Sequence, residues 1–420
     1  MNNLFYRDIP SSIQLIESIS LNKECYAKEA IRFAQNFKSK NLSNRLIIVE
    51  KLNMKLILVN SLSHGGGERI ACNIANELIK SEDVIIVTLE NEQTYYTNKK
   101  IKIIKLCSNS LVSFLFIPFK LKKIIKDKQV DVVQSHLYRS NFINIISKLI
   151  GSKHYAQIIN HGDPLLYKKK GVKGFIMLTL IKALYPKADE IIAIADAMNE
   201  NIKKIIPNGK NKILTINNPS NIDEIILNSC KKSDTEINID FKYVVSMGRL
   251  IKSKNVDLLI SSIKNLNIGL VIIGTGPEET KLKMLAKELK VNVIFLGQLE
   301  NPFPIIKNAI AFVSASSSEG FPNSIIESLA CSTPVIHSDC VSGPREILQP
   351  NSDSKNLIRE NAFEITPFGA LYNIGDSIAL SSAIKYIEQL SDDDKKQLYL
   401  NCKQRAYEFD SSIIVKKYFR

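Results

Sequence analysis

Ser316-Ser317-Ser318-Glu319-Gly320-Phe321-Pro322-Asn323-Ser324-Ile325-Ile326-Glu327 follows the apolar run Ala311–Ser314 and leads into Ser328-Leu329-Ala330. A short strand, a loop bounded by Gly and Pro, and a helix make the βα unit of a parallel sheet. Glu319 falls in the loop at the carboxyl end of the strand, where open α/β sheets bind ligands. Glu327 falls in the second turn of the helix, and because helical side chains tilt toward the N-terminus its carboxylate is expected to face the same crevice. The amides of Asn323, Ser324 and Ile325 open the helix and form a natural phosphate cradle. A pair of surface glutamates near a cap would not account for Gly320, Phe321 and Pro322 between them.

Outward from this unit the same alternation of short apolar runs and amphipathic segments recurs. Strands are expected at Lys55–Asn60, Val84–Leu89, Lys102–Leu106, Val130–Gln134, Tyr155–Ile159, Glu190–Ile194 and Ile213–Ile216, then at Tyr243–Ser246, Leu270–Ile273, Val293–Leu296, Ala311–Ser314 and Pro334–His337. The pattern predicts an α/β protein of two Rossmann-like, doubly wound parallel-sheet domains, 54–230 and 231–400, with a polar linker near 228–240 and a terminal helix over 401–420. Residues 1–53 carry helical spacing at Ile13–Leu21 and Glu24–Phe37 and are expected to be a helical appendage without chemistry of its own.

Three further clusters sit at the predicted strand ends. Gly248-Arg249-Leu250-Ile251-Lys252-Ser253-Lys254 places bases at a helix start, where acids are the norm, and an anionic ligand resolves that anomaly. Arg249 offers a planar fork for phosphate oxygens and Lys254 a mobile point charge for a leaving group. Gly274-Thr275-Gly276-Pro277 lacks a third glycine and reads as a tight turn that admits a nucleotide, not as a dehydrogenase fingerprint. Gly65-Gly66-Gly67-Glu68-Arg69 opens a helix of the first domain, and Gly66 and Gly67 either present amides to a diphosphate or acceptor or form a plain turn. His136 and His161 close two strands of that domain. His161 is the candidate for the transferred sugar or the acceptor proton, and His136 is an acceptor-side candidate or a satisfied structural histidine.

Composition excludes several classes. The chain has 420 residues, 45% hydrophobic and 23% charged, as a soluble globular protein does. Its most apolar stretches, Leu111–Phe119 and Phe175–Leu184, are shorter than the ~20 residues that cross a bilayer, and its start lacks the pattern of a secretory signal. A cytoplasmic location is expected. Seven dispersed cysteines read as reduced thiols, and no Cys/His spacing suits zinc. The net charge of +14 is concentrated in residues 54–230, in runs such as Lys120-Leu121-Lys122-Lys123 and Lys168-Lys169-Lys170. Such a face suits anionic lipid headgroups or a pyrophosphate-linked acceptor, and equally a solvated lysine-rich surface. Nucleic acid is not expected, because no basic motif is interleaved with aromatics. The acidic run Asp392-Asp393-Asp394 precedes a helix, so neutralisation by Arg249, Lys254 and helix amides is expected in place of a metal.

Together these segments resemble glycosyltransferase family 4 from about Met54 to the C-terminus. The match rests on Gly65 to Arg69, Gly248-Arg249 to Lys254, Gly274-Thr275-Gly276, the pair Glu319 and Glu327, and Ser342-Gly343-Pro344-Arg345-Glu346-Ile347-Leu348. The family commonly has alanine where Gly67 stands. The resemblance implies a GT-B fold, two Rossmann-like domains facing an interdomain cleft, and sugar transfer from a nucleotide diphosphate with retention of configuration and no metal or other cofactor. It implies Glu319 on the donor sugar's hydroxyls, Glu327 on the ribose, and Arg249 with Lys254 on the diphosphate. It also implies that the final helix returns to the first domain and buries Ile413, Ile414 and Tyr418.

Family members with the Glu-Gly-Phe-Pro-Asn loop often build bacterial surface glycans on polyprenyl diphosphate. The expected setting is therefore O-antigen or capsule assembly at the inner face of the plasma membrane, with a UDP-hexose or UDP-N-acetylhexosamine donor and a lipid-linked or oligosaccharide acceptor. The alternatives are a non-catalytic nucleotide-sugar-binding protein, against which the presence of Glu319 argues, and a phosphorylase or epimerase of the same architecture.

Overall fold

The computed structural model describes residues 54–419, apart from 64, 107–114, 232–238, 351, 354–355 and 360. The expected appendage 1–53, most of the expected linker and part of the apolar run 111–119 lie outside the described residues.

The first domain runs β1 (Met54–Val59), α1 (Gly66–Leu78), β2 (Val84–Thr88), β3 (Lys102–Lys105), α2 (Ile117–Lys128), β4 (Val130–His136), α3 (Tyr138–Leu149), β5 (Tyr155–Asn160), α4 (Gly171–Leu184), β6 (Glu190–Ala193), α5 (Asp196–Ile205), β7 (Ile213–Thr215) and α6 (Ile222–Ser229). Its seven strands are all parallel, in the order β3-β2-β1-β4-β5-β6-β7. The crossovers put helices on both faces, so strands such as Leu56-Ile57-Leu58-Val59 are apolar throughout. Leu56 and Leu58 pack with Ile117, Leu121 and Ile125 of α2, whereas Ile57 and Val59 share a core with Ile70 and Ile74 of α1.

The second domain runs β8 (Tyr243–Met247), α7 (Val256–Ser262), β9 (Gly269–Ile273), α8 (Glu279–Leu289), β10 (Val293–Gly297), α9 (Phe303–Lys307), β11 (Phe312–Ser314), α10 (Asn323–Ala330), β12 (Val335–Ser338), α11 (Pro344–Leu348), β13 (Phe363–Thr366), β14 (Gly369–Tyr372), α12 (Ser377–Gln389), α13 (Asp392–Tyr407) and α14 (Ser411–Tyr418). Its sheet has the order β10-β9-β8-β11-β12-β14-β13, with only β13 antiparallel. The β13–β14 hairpin was not expected from the sequence. In each sheet the strand order reverses once beside the first strand, at β1/β4 and at β8/β11, and these reversals are the crevices where such folds bind ligands.

Chain crossings and the C-terminal helix tie the two domains together. After α13, whose N-cap is Ser391, the chain returns to the first domain, and α14 packs on α1 with Ile414, Val415 and Tyr418 buried. Ile413 stays about half exposed, contrary to expectation, because it points off the stripe shared by Ile414 and Tyr418. Beside this return, Ser220 donates its amide to the Phe409 carbonyl and accepts from the Ser411 amide, each at 2.9 Å, so the two crossing segments pair as strands.

Candidate active site

The loop after β11 carries Glu319 and Gly320 into the cleft. A Cβ on Gly320 would lie 2.7 Å from the His161 carbonyl oxygen of the first domain, an approach that only glycine permits. Ser342 braces the loop from behind by donating to the Gly320 carbonyl at 2.9 Å. Phe321 is buried and stacks edge-on against Phe409 at 5.4 Å, and Pro322 is buried beside it. Neither side chain was expected to serve this way. They anchor the loop, and at these two positions only the backbone remains for a ligand.

Lys254 ends the 3-10 turn that follows β8 and contacts Glu319 Oε1 with its Nζ at 2.5 Å. The two loops are stitched by the Ser317 amide on the Ser253 carbonyl and by the Asn255 amide side chain on the Ala315 carbonyl, at 3.0 and 2.9 Å. Burial works to raise the Glu319 carboxyl, but the Lys254 charge and hydrogen bonds from Lys254 and Ser316 hold it below the ordinary carboxylate range. Glu319 is thus an anion with a fixed counter-charge. The buried His337, at the end of β12, also acts on Glu319 electrostatically and donates from Nδ1 to its neighbour's carbonyl at 2.7 Å. The sequence left His337 unassigned, although its place at a strand end beside the crevice was the available signal.

Glu327 lies on α10 with its side chain 3% exposed, and its Oε1 meets Arg69 of α1 at 2.5 Å across the cleft. Arg69 stood in the glycine-rich run but had no role assigned to it. The start of α10 has no side-chain cap, so the amides of Asn323 and Ser324 lie at the open end of the helix, whereas the expected Ile325 amide is taken by the Pro322 carbonyl at 3.1 Å and the Ile325 side chain is in the core. Asn218 of the first domain donates to the Phe321 carbonyl and to Asn323 Oδ1 at 3.1 and 3.0 Å. Arg249 is exposed beyond β8, and its charge acts on Glu68 of the opposite domain. Gly274 and Gly276 permit close backbone packing: a Cβ on either would fall 2.0 Å from the Gly248 carbonyl or 2.3 Å from that of Leu250.

Across the cleft, Gly66 opens α1 into free space, and Gly67 packs on Leu137 and on the His161 ring. His161 follows β5. His136 is completely buried behind it, with Nδ1 2.9 Å from His161 Nε2, so the expectation that His136 meets an acceptor is corrected: its ring serves His161. Burial lowers both imidazoles, His161 to about 4, which keeps them neutral at physiological pH. Glu346 of α11 is a third residue to which the sequence assigned no role. Its carboxylate accepts from the amides of Asp196 and Ala197 at 2.8 and 3.0 Å, capping α5 of the other domain. Its neighbour Arg345 points inward and pairs with Asp339 and Glu364. Among the described residues no three His, Cys, Asp or Glu side chains converge as metal ligands.

Two Rossmann-like domains with facing crevices, joined by a returning C-terminal helix, define the GT-B fold. Solved structures share it over 87% of the chain: the Anabaena protein HepE in complex with UDP, at 16% identity, 98% coverage of that chain and a TM-score of 0.66, and sucrose-phosphate synthase from Thermosynechococcus elongatus, at 16%, 97% and 0.70. The model of Glycosyltransferase Family 4 matches residues 64–224, and that of Glycosyl transferases group 1 matches residues 230–366. The chain is 30% identical over 368 residues, 84% of its own length and 95% of the relative's, to N-acetylgalactosamine-N,N'-diacetylbacillosaminyl-diphospho-undecaprenol 4-alpha-N-acetylgalactosaminyltransferase of Campylobacter jejuni. A second transferase of that organism, which adds an α-1,4-N-acetyl-D-galactosaminyl unit to a diphospho-undecaprenol-linked glycan, is 27% identical over 86% of this chain and 96% of its own. The chain belongs to glycosyltransferase family 4, and it is a glycosyltransferase.

Proposed function

We propose that the enzyme transfers a hexose or N-acetylhexosamine from a UDP-sugar, with retention and without a metal, to a glycan on polyprenyl diphosphate during surface-polysaccharide assembly such as O-antigen or capsule. The observation that carries this reading is the placing of Glu319, Lys254 and the open start of α10 on one crevice of the second domain, with the His161 backbone of the first domain against Gly320, the residue after Glu319. Lys254, Arg249 and the α10 amides meet the diphosphate, Glu327 the ribose, Glu319 the sugar hydroxyls, and His161 the transferred sugar. As the glycosidic bond breaks, the departing phosphate takes the acceptor proton on the face it leaves. That places charge stabilisation on preorganised protein groups. Relatives whose names specify diphospho-undecaprenol-linked acceptors support the acceptor class.

We read an anionic membrane surface as the partner of the first domain, and the inner face of the plasma membrane as the enzyme's station. Residues 164–188 contain six lysines and no acid. Within them α4 exposes Val172, Phe175, Ile176 and Leu180 to solvent, and Leu115, Phe116 and Phe119 are exposed at the start of α2. Apolar side chains among lysines on a surface suit a headgroup boundary better than water. No helix of the described residues is long and apolar enough to cross a membrane. The test is transfer from a panel of UDP-sugars to a synthetic polyprenyl-diphosphate glycan in excess chelator, with the new linkage read by NMR. An α-linked product is expected. An inverted linkage, or a requirement for added divalent metal, overturns the reading.

A further inference from the structure

His161 ends an unbroken row of polar side chains that crosses the buried sheet of the first domain. Gln134 and His136 lie two residues apart on one face of β4, Gln157 pairs with Gln134 on β5, and Glu190 pairs with Gln157 on β6. Gln134, His136 and Gln157 are at most 1% exposed, in a sheet whose buried positions are mostly apolar. Buried amides and imidazoles are costly unless every group is satisfied, so this row calls for an explanation beyond packing.

The row has one direction. Gln157 Nε2 contacts a Glu190 carboxylate oxygen at 2.5 Å and the Tyr418 carbonyl at 2.7 Å, both acceptors, which fixes its amide with Oε1 toward Gln134. Gln134 Nε2 donates to that oxygen at 2.5 Å, which leaves Gln134 Oε1 to accept at 3.1 Å from His136 Nε2. With its proton on Nε2, the neutral His136 accepts at Nδ1, and only His161 Nε2 is there to donate. The His161 proton is thereby assigned to Nε2. Among the described residues no partner meets its Nδ1.

We infer that Gln134 and Gln157 are positioning residues that set the tautomer of His161, leaving Nδ1 to accept a hydroxyl of the bound sugar. This rests on the reading of His161 as a sugar contact. An atom that accepts and cannot donate welcomes a hydroxyl and opposes a carboxylate, so the row selects neutral sugars over uronic acids at that position. Its far end is the carbonyl of Tyr418 in α14, which makes the returning C-terminal helix part of the active-site support.

The test is long-range proton–nitrogen NMR of the full chain labelled with 15N-histidine, with His161 assigned by its loss in His161→Asn. A single tautomer protonated at Nε2 is expected. Gln134→Met should yield mixed tautomers and a turnover reduced about tenfold or more, with the nucleotide-sugar KM unchanged. A proton on Nδ1 in the wild type overturns the inference, and that spectrum decides the matter even if the variant does not fold. A single Nε2–H tautomer retained in Gln134→Met also overturns it. His161→Asn with normal turnover and unaltered preference for neutral sugars removes the sugar contact and leaves the tautomer result standing, so the two failures are told apart.

Discussion

Arg69 of the first domain and Glu327 of the second form an ion pair at 2.5 Å that spans the cleft, with the glutamate almost wholly buried and the arginine about one-third exposed. A buried carboxylate that loses its counter-ion is penalised, whereas its amide counterpart needs none. Arg69→Met should therefore destabilise the folded protein by about 1–3 kcal/mol, and adding Glu327→Gln should restore part of the loss. Urea unfolding of both single variants and the double variant checks this. Additive losses would mean that the two side chains do not support one another. Nucleotide titration of Glu327→Gln should show UDP bound about tenfold more weakly, roughly 1.4 kcal/mol.

Glu319→Gln should behave differently, since the carboxylate sits where positive charge develops on the sugar. Turnover should fall about a hundredfold or more, with UDP affinity little changed. Lys254→Met leaves Glu319 without its counter-charge, and both turnover and UDP affinity should fall. Steady-state kinetics and calorimetry on the two variants separate these effects, and normal turnover by Glu319→Gln would refute its role.

Glu346 satisfies two amides at the start of α5 from the neighbouring domain. Glu346→Ala should cost about 1 kcal/mol, as the loss of a helix cap does, and should lower the melting temperature without moving the UDP affinity. An unchanged melting temperature would show that water replaces the carboxylate without loss.

Stability should decline on mild acidification. Burial lowers His161 and His154 to about 4, and it also lowers His136 and His337. In the unfolded chain these rings charge near 6.5. From about pH 6.5 down to about 4 the unfolded chain therefore holds more protons than the folded one, and folding weakens as pH falls, by up to about 1.4 kcal/mol per pH unit for each ring. Burial raises the carboxyls of Glu68 and Glu346, which work the opposite way near the acid end of this window. Denaturant unfolding at pH 7.5 and 5.5 measures the slope, and equal stability at both would contradict it.

Vesicle binding tests the membrane face. The full chain should sediment with anionic vesicles at low salt and release at high salt. Phe175→Glu combined with Ile176→Glu should abolish sedimentation while leaving transfer to a short water-soluble acceptor unchanged. Recovery of that variant on vesicles equal to wild type would rule α4 out as the contact.

Periodicity and punctuation carried most of the architecture. Twelve expected strands formed, with ends shifted by a residue or two. The β13–β14 hairpin escaped because Phe363–Thr366 and Gly369–Tyr372 are short, are separated only by Pro367 and Phe368, and mix polar with apolar positions. Glu319 and Lys254 were both legible as strand-end residues, yet nothing in their spacing says that they touch. Arg69 and Glu346 escaped for a related reason, and the choice between the two readings of His136 stayed open. Each depends on how one domain packs on the other or on which face of a strand end points inward, and local sequence does not encode either.

Phe409 occupies one of the two segments that pair through Ser220, and its ring rests on Phe321 in the loop of Glu319. The domains are therefore joined by a two-ply hinge with a lever on it. A rotation of one domain about this seam would press an aromatic ring against the base of the loop that carries Glu319.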